Sequence, residues 1–351
     1  MTMDTQLESR GVDTALATLE GEAAAQRVKH EDEHLKEVAP EPWTRVPNIA
    51  STGTTYYDRP LLKSPVWTID IPLYYFVGGA AGAAMTLGAA MQLASRAGRR
   101  DLQRASEICH WTGIIGSTAG AAFLIHDLGR PSRFLYMMRV FRPTSPMNMG
   151  VWVLAGAAPS AIATGLLLNR PGVLGRIGGA CGYISGMFGA ALAGYTGVLV
   201  ANTAVPVWQD SRRWLPVLFL ASSAASAAAI VDVFTDDQPS GRVTRIFGTA
   251  GRIAELAAAK KVESGTSTRP LRTGATGALW MASTALTVAS VVVSLWPGKS
   301  RSRRKASGIL AAAGSLCLRF AVHYAGRASA RDPRAVFDSQ RSAAASRQPA
   351  G

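Results

Sequence analysis

Several residues of this chain carry chemistry in places where a lipid-embedded sequence would be expected to carry none. Asp70 opens the apolar run in "VWTIDIPLYYF" and Tyr74 follows one helical turn later, so on a helix the two face a common neighbour. A carboxylate and a phenol so placed can pass protons or hydrogen-bond a polar ligand. Asp70 can equally serve as a carboxylate at a helix N-terminus. Tyr195 lies deep in "LAGYTGVLVANTAVPVW", where a buried phenol needs a partner, either a neighbouring helix or a ligand carbonyl. Glu255 and Arg319 sit inside two later segments and are expected to neutralise each other across helices or to mark a proton path. Ionisable groups at membrane depth cost about 2.5–3.5 kcal/mol each on insertion scales, so those that persist are functional candidates. Asp70, His126 and Glu255 are the candidates for moving protons.

His110 and His126 bracket one apolar segment. A helix between them separates the two rings by roughly 24 Å, which would suit the two haems of a dihaem cytochrome b. Each haem then needs a second axial ligand, and His323 alone remains inside a later segment. The pairs cannot be completed, and no haem is expected. Cys109, Cys181 and Cys317 are isolated and have neither metal-ligand nor redox spacing. Any iron–sulfur cluster in the system must belong to another chain.

The densest polar feature is "HDLGRPSRFLYMMRVFRPTSPMNMGVWVL", which holds Asp127, Arg130, Arg133, Arg139 and Arg142 between two apolar runs. Gly129 and Pro131 suit a sharp turn, and Pro146 suits a helix start. Asp127 is expected to pair with Arg130 or Arg133 and fix the loop, leaving the other arginines for an acidic partner surface.

The elements that must position these residues follow from the distribution of charge. The chain of 351 residues is 48% hydrophobic and 17% charged, with a formal net charge of +14. The 25 residues between Asp70 and Arg96 contain no charge, and similar gaps recur along the chain. About 20 apolar residues span the bilayer core as a helix, and an open strand edge in lipid would leave its backbone unpaired. The reading is an all-α polytopic membrane protein. Eight helices are expected at roughly 70–95, 107–126, 147–168, 177–202, 213–234, 242–262, 273–296 and 306–327, the sixth being the weakest because it contains Arg252 and Glu255. Basic clusters such as "SRAGRRDLQR" and "GKSRSRRKA" fall between apolar blocks, as lipid head groups favour, which argues against nucleic acid. The spacings Gly78-x-x-x-Gly82 and Gly182-x-x-x-Gly186 allow close helix approach. Residues 1–54 form an acidic soluble tail, expected to be partly helical or disordered, without the apolar core of a signal peptide. With the motif arginines set aside, the loops after helices one, three, five and seven are the richer in Lys and Arg, which puts both termini on the outer face.

The loop resembles the signature of the NrfD/polysulfide-reductase membrane-subunit family, with its Asp-Leu-Gly-Arg-Pro turn, Arg-Phe-x-x-Met segment and Thr-Ser-Pro-Met helix start. "YYDRPLLKSPVWTIDIPLYYFVGGAAGA", "YTGVLVANTAVPVW" and "LRFAVHYAGRASARDP" resemble the family's strap and first helix, fourth helix and last helix, so the likeness covers about residues 55–340 in order. It implies two four-helix bundles, residues 55–210 with the strap and residues 211–327, followed by a polar tail over 328–351. It implies no haem or metal on this chain, and a site for membrane quinone (menaquinone or ubiquinone) in the first bundle. The partners it implies are a ferredoxin-like [4Fe–4S] subunit and a molybdopterin catalytic subunit, most like formate-dehydrogenase-like assemblies. By the same resemblance Tyr195 meets a quinone carbonyl, Asp70 and Tyr74 provide the other polar contacts, and Asp127, Arg130 and Arg133 match the loop motif. The competing readings are a dihaem cytochrome b anchor, a transporter lined by Asp70, Glu255 and Arg319, and an anchor that never touches quinone.

Overall fold

The computed structural model describes residues 12–13, 18–19, 62–130, 132–235, 238–296, 300–332 and 335–336. The chain divides into Met1–Arg59 and Pro60–Gly351. In the first unit, β1 (Val12–Asp13) pairs antiparallel with β2 (Thr18–Leu19), Val12 standing opposite Leu19. The remainder of the acidic tail, the first part of the strap, Pro131 and most of the polar C-terminal tail lie outside the described residues.

The second unit is helical. Its elements are α1 (Asp70–Arg96), α2 (Gln103–Asp127), α3 (Ser132–Met137), α4 (Pro146–Leu167), α5 (Gly172–Ala201), α6 (Pro206–Asp210), α7 (Leu215–Phe234), α8 (Gln238–Glu263), α9 (Gly274–Leu295) and α10 (Arg301–Arg331). Small residues decide which helices meet most closely. A Cβ on Gly82 of α1 would stand 2.5 Å from the Gly189 carbonyl oxygen of α5, and one on Gly189 would stand 2.6 Å from the Gly82 oxygen. Gly182 and Gly186 likewise face Gln92 and Ala89 of α1. Gly82, Gly182, Gly186 and Gly189 therefore serve one close contact, α1 on α5, whereas Gly78 makes room for the ring of Tyr74. α1 also packs on α2 and α7, α4 lies on α5 and α2, and α7, α8, α9 and α10 pack among themselves. Tyr74, Tyr75, Phe219, Trp208 and Val322 form the core where α1, α7 and α10 converge.

Among the described residues, seven helical segments are long and apolar enough to cross a membrane, namely α1, Arg100–Asp127, α4, α5, α7, α9 and α10. The eighth expected span, α8, forms a helix of 26 residues but is too polar to qualify. Its polarity is two-sided, since Arg242 and Arg245 are exposed while Arg252 and Glu255 are turned into the protein and buried. α10 begins and ends several residues beyond the expected 306–327. Its additional first turns carry Arg301 and Arg303, and long basic side chains of this kind can keep the charged end among head groups while the backbone stays helical. This is a multi-pass membrane protein.

Candidate functional site

A cavity of about 90 Å³ lies at the Asp70 end of α1, bounded by the last turns of α2 and α5, the first turns of α4, and the strap residue Trp67. Its walls are mainly apolar, with Ile71, Leu124, Val151 and Leu199, and its polar groups are Tyr74, Tyr75, Tyr195 and Asp127. An engineered apolar cavity of about 150 Å³ holds a benzene ring, so a six-membered ring would fit this smaller one only with flexible side chains moved aside. Met137 and Met147 line it and are suited to that.

The three phenols are placed differently. Tyr195 crosses to α4, where Gly150 leaves no room for any side chain against its ring. Its hydroxyl donates to the Pro146 carbonyl at 2.5 Å, so its single proton is already committed to a helix–helix bond. Tyr74 lodges its ring beside Gly78 and Gly120, where a Cβ would come within 3.1 and 3.2 Å. Tyr75 is 0% exposed, packs against Phe219 with ring centroids 5.8 Å apart, and its hydroxyl has no hydrogen-bond partner among the described residues. Tyr75 went unnoticed in the sequence because an aromatic residue next to another in an apolar run reads as packing.

Asp70 turns away from the cavity. His126 Nδ1 donates to Asp70 Oδ2 at 2.7 Å, the histidine side chain being 81% exposed and the aspartate 14%. Thr68 Oγ1 lies 2.9 Å from the same Asp70 oxygen and 2.7 Å from Asp127 Oδ1, and the Thr68 backbone N–H also donates to Asp127 Oδ1 at 3.0 Å. One hydroxyl thus joins two carboxylates, and the file His126, Asp70, Thr68, Asp127 leads from the protein surface to the cavity wall. The expected pairing of Asp127 with Arg130 or Arg133 does not form, because the strap takes the carboxylate instead.

The loop owes its order to a residue the motif reading passed over. Asn148 Nδ2 donates to the Val140 carbonyl at 2.9 Å and to the Met137 carbonyl at 2.5 Å, while its Oδ1 accepts from the Arg142 N–H at 2.7 Å. Ser145 caps α4 by accepting from the Asn148 N–H. Arg130, Arg133, Arg139 and Arg142 are all exposed, and Leu135, Tyr136, Val140 and Phe141 beside them are at least half exposed. The result is a cationic and apolar surface next to the cavity mouth. Trp67 is held in turn by Trp208, their rings stacked with centroids 5.7 Å apart, and Trp208 Nε1 donates to the Val322 carbonyl at 2.8 Å. Gly326 leaves the space that the Trp208 ring fills.

The remaining candidates lie elsewhere. His110 is buried towards the far end of α1 and α2, its Nε2 donating to Gln92 Oε1 at 3.0 Å. Glu255 and Arg319 are buried between the later helices. Glu255 accepts from Thr287 Oγ1 at 2.9 Å and from Ser315 Oγ at 3.5 Å. Arg319 Nη2 donates to the Phe219 carbonyl at 2.8 Å and to Ser223 Oγ at 3.0 Å, with the guanidinium 3.8 Å above the Phe219 ring. Each of the two charges takes its hydrogen bonds from other groups, so the expected pair is not a direct contact.

No curated protein matches the chain. The family model described as "Polysulphide reductase, NrfD" matches residues 60–329, a range that takes in α1 to α9, the strap end, the loop and nearly all of α10. With the cavity, the loop and the helices all inside that range, the chain belongs to the polysulphide reductase NrfD family.

Proposed function

We propose that the cavity binds the headgroup of a membrane quinone, menaquinone or ubiquinone, and that this chain is the membrane anchor passing electrons between that quinone and a docked ferredoxin-like [4Fe–4S] subunit. The observation that carries the reading is the convergence of phenols and a carboxylate on one apolar cavity at a helix-bundle end. Apolar pockets with few convergent polar groups are the usual form of a small-molecule site, and Tyr74 and Tyr75 have unspent phenolic protons to offer a carbonyl oxygen. Tyr195 is then a positioning residue that sets the spacing of α4 and α5, and it reaches a quinone carbonyl only by exchanging its bond to Pro146. The eight long helices group as two four-helix bundles, α1, α2, α4 and α5 around the cavity and α7 to α10 beside them, with α8 crossing the membrane by turning its charges inward.

Reduction of a quinone to a quinol consumes two electrons and two protons. Electrons arrive singly from the partner's cluster, and the file from His126 through Asp70 and Thr68 to Asp127 supplies protons from the near face. A carboxylate pair sharing one hydroxyl can accept and release a proton with little movement. The exposed arginines of the loop with their apolar neighbours form the docking face for the acidic iron–sulfur subunit, itself wired to a molybdopterin catalytic subunit of the formate-dehydrogenase-like kind. The absence of haem or metal on this chain belongs to the same reading.

The test is direct. A short-chain quinone titrated into the purified protein should quench Trp67 fluorescence saturably, and Tyr74→Phe should weaken that binding at least fivefold. No saturable binding would leave a purely structural anchor, and saturable binding that is indifferent to Tyr74 would place the quinone outside this cavity. A Soret band retained by the purified chain would favour the cytochrome reading instead.

A further inference from the structure

The cavity leaves unused a second set of ionisable groups, all buried within the bundle of later helices. Asp232 of α7, Arg252 and Glu255 of α8, and Arg319 of α10 are each no more than 3% exposed. Hydroxyl groups alone would bind these helices together, and they are present for that purpose: Ser290 Oγ donates to the Ser307 carbonyl at 2.6 Å, and Ser307 Oγ to the Ser290 carbonyl at 2.9 Å. Charged groups are a costly addition to such a seam, and inside membrane proteins they mark ion and proton routes.

Their order along the helices is linear. Arg304, Ser307, Ser315 and Arg319 recur at helical spacing on one side of α10, and the rise from the first to the last is roughly 22 Å, against a hydrocarbon core of about 30 Å. At the end far from the cavity, Asp232 accepts from Thr244 Oγ1 at 2.5 Å and lies 3.5 Å from Arg304 Nε. Arg252 follows, donating to Ser307 Oγ at 3.1 Å and standing three residues before Glu255 on α8. Glu255 comes next, its carboxylate held by the Thr287 and Ser315 hydroxyls. One turn beyond Ser315 stands Arg319, whose Nε and Nη1 have no hydrogen-bond partner among the described residues. Gly79 of α1 opens the space that Ser223 and this guanidinium occupy. Arg319 and the cavity residue Tyr75 both pack on the ring of Phe219, the guanidinium 3.8 Å from its centroid and the Tyr75 ring 5.8 Å from it. The other charged group that faces Asp232 is Arg245 of α8, and α9 contributes no charged group among its described residues.

We propose that this file is a proton path through α7 to α10, running from the Asp232 end to Tyr75, where it meets the cavity. Each transfer moves one proton from a carboxyl or hydroxyl oxygen to the next acceptor, directly or through water held by the unpartnered guanidinium nitrogens of Arg319, without any change of oxidation state. The proposal rests on the quinone reading for what the path serves: a redox site with routes to both faces can take protons from one side and release them to the other.

The full-length protein, reconstituted in phosphatidylcholine–phosphatidylglycerol vesicles with trapped pyranine and driven by a potassium–valinomycin potential, should take up protons well above protein-free vesicles. Glu255→Gln and Asp232→Asn should each lower that rate more than tenfold. Ser315→Ala, which removes one hydroxyl and cannot unfold a helix, should lower it by a smaller factor. A wild-type rate equal to that of empty vesicles overturns the proposal, as does an unchanged rate in Glu255→Gln and Ser315→Ala together. Quinone binding measured on the same samples separates the two readings, because Glu255→Gln should bind quinone as the wild type does. If the wild type conducts protons yet binds no quinone, the cavity assignment fails and the path stands.

Discussion

Tyr195 has one phenolic proton and spends it on Pro146, whereas Tyr74, which lines the same cavity, shows no acceptor for its proton among the described residues. Replacing each by Phe therefore removes different things. Tyr195→Phe loses one helix–helix hydrogen bond, a net effect of about 1 kcal/mol, so quinone turnover should fall several-fold while assembly with the partner subunits remains intact. Unchanged turnover would remove Tyr195 from the site altogether. Tyr74→Phe loses a donor aimed at the ligand in a water-poor pocket, where such donors are worth more than in water, and its turnover defect should be the larger of the two. Asp70→Asn separates positioning from proton supply. The amide still accepts from Thr68, but it cannot carry a proton between His126 and Asp127, so turnover should drop tenfold or more with quinone affinity preserved. Steady-state rates set beside binding titrations decide this, and a parallel fall in affinity would make Asp70 a contact and not a relay.

At the scale of elements, the loop between α2 and α4 is held by the three hydrogen bonds of the Asn148 side chain. Asn148→Ala should leave the helices packed but loosen the loop, and co-purification of the iron–sulfur partner should fall by about as much as after reversing Arg139 and Arg142 to Glu. Retained co-purification in both variants would place docking elsewhere. The helices themselves were legible in the sequence because lipid imposes a simple rule, long runs without charge, and α1, α2, α4, α5, α7 and α9 obey it. α8 blurs that rule, since its buried Arg252 and Glu255 are indistinguishable in sequence from solvated charges. The site was legible in its members and not in its wiring. Tyr74, Tyr195 and Asp127 reach one cavity, but the bond from His126 to Asp70 spans 56 positions, and the link from Thr68 to Asp127 spans 59. Trp67 could not be tied to Trp208, nor Asn148 to its loop carbonyls, because those partners are chosen by tertiary geometry and leave no local periodicity.

For the whole molecule the open quantity is how many times the chain crosses. Seven crossings would put the termini on opposite sides, and eight would put them on the same side. α8 decides between them. Its inward face buries Arg252 against Ser307 and Glu255 against Thr287, so the groups that depress its hydropathy are the ones lipid never meets, and its remaining charges lie near its two ends, Arg242 and Arg245 at one and Lys260, Lys261 and Glu263 at the other. A helix of 26 residues is roughly 39 Å long, enough to cross a 30 Å core with both ends among head groups. Eight crossings are therefore expected, with the basic loops that follow α1, α4 and α9 facing the cytoplasm. Alkaline phosphatase should then be active when fused at either terminus, and a fluorescent protein that folds only in the cytoplasm should stay dark at both. Reporters that disagree between the termini would remove α8 from the membrane and with it the path through Glu255. Agreement on the outer side would set the His126 relay facing outward and the Asp232 end facing inward, so that protons drawn through α8 and α10 to the cavity would carry charge across the membrane as the quinone turns over.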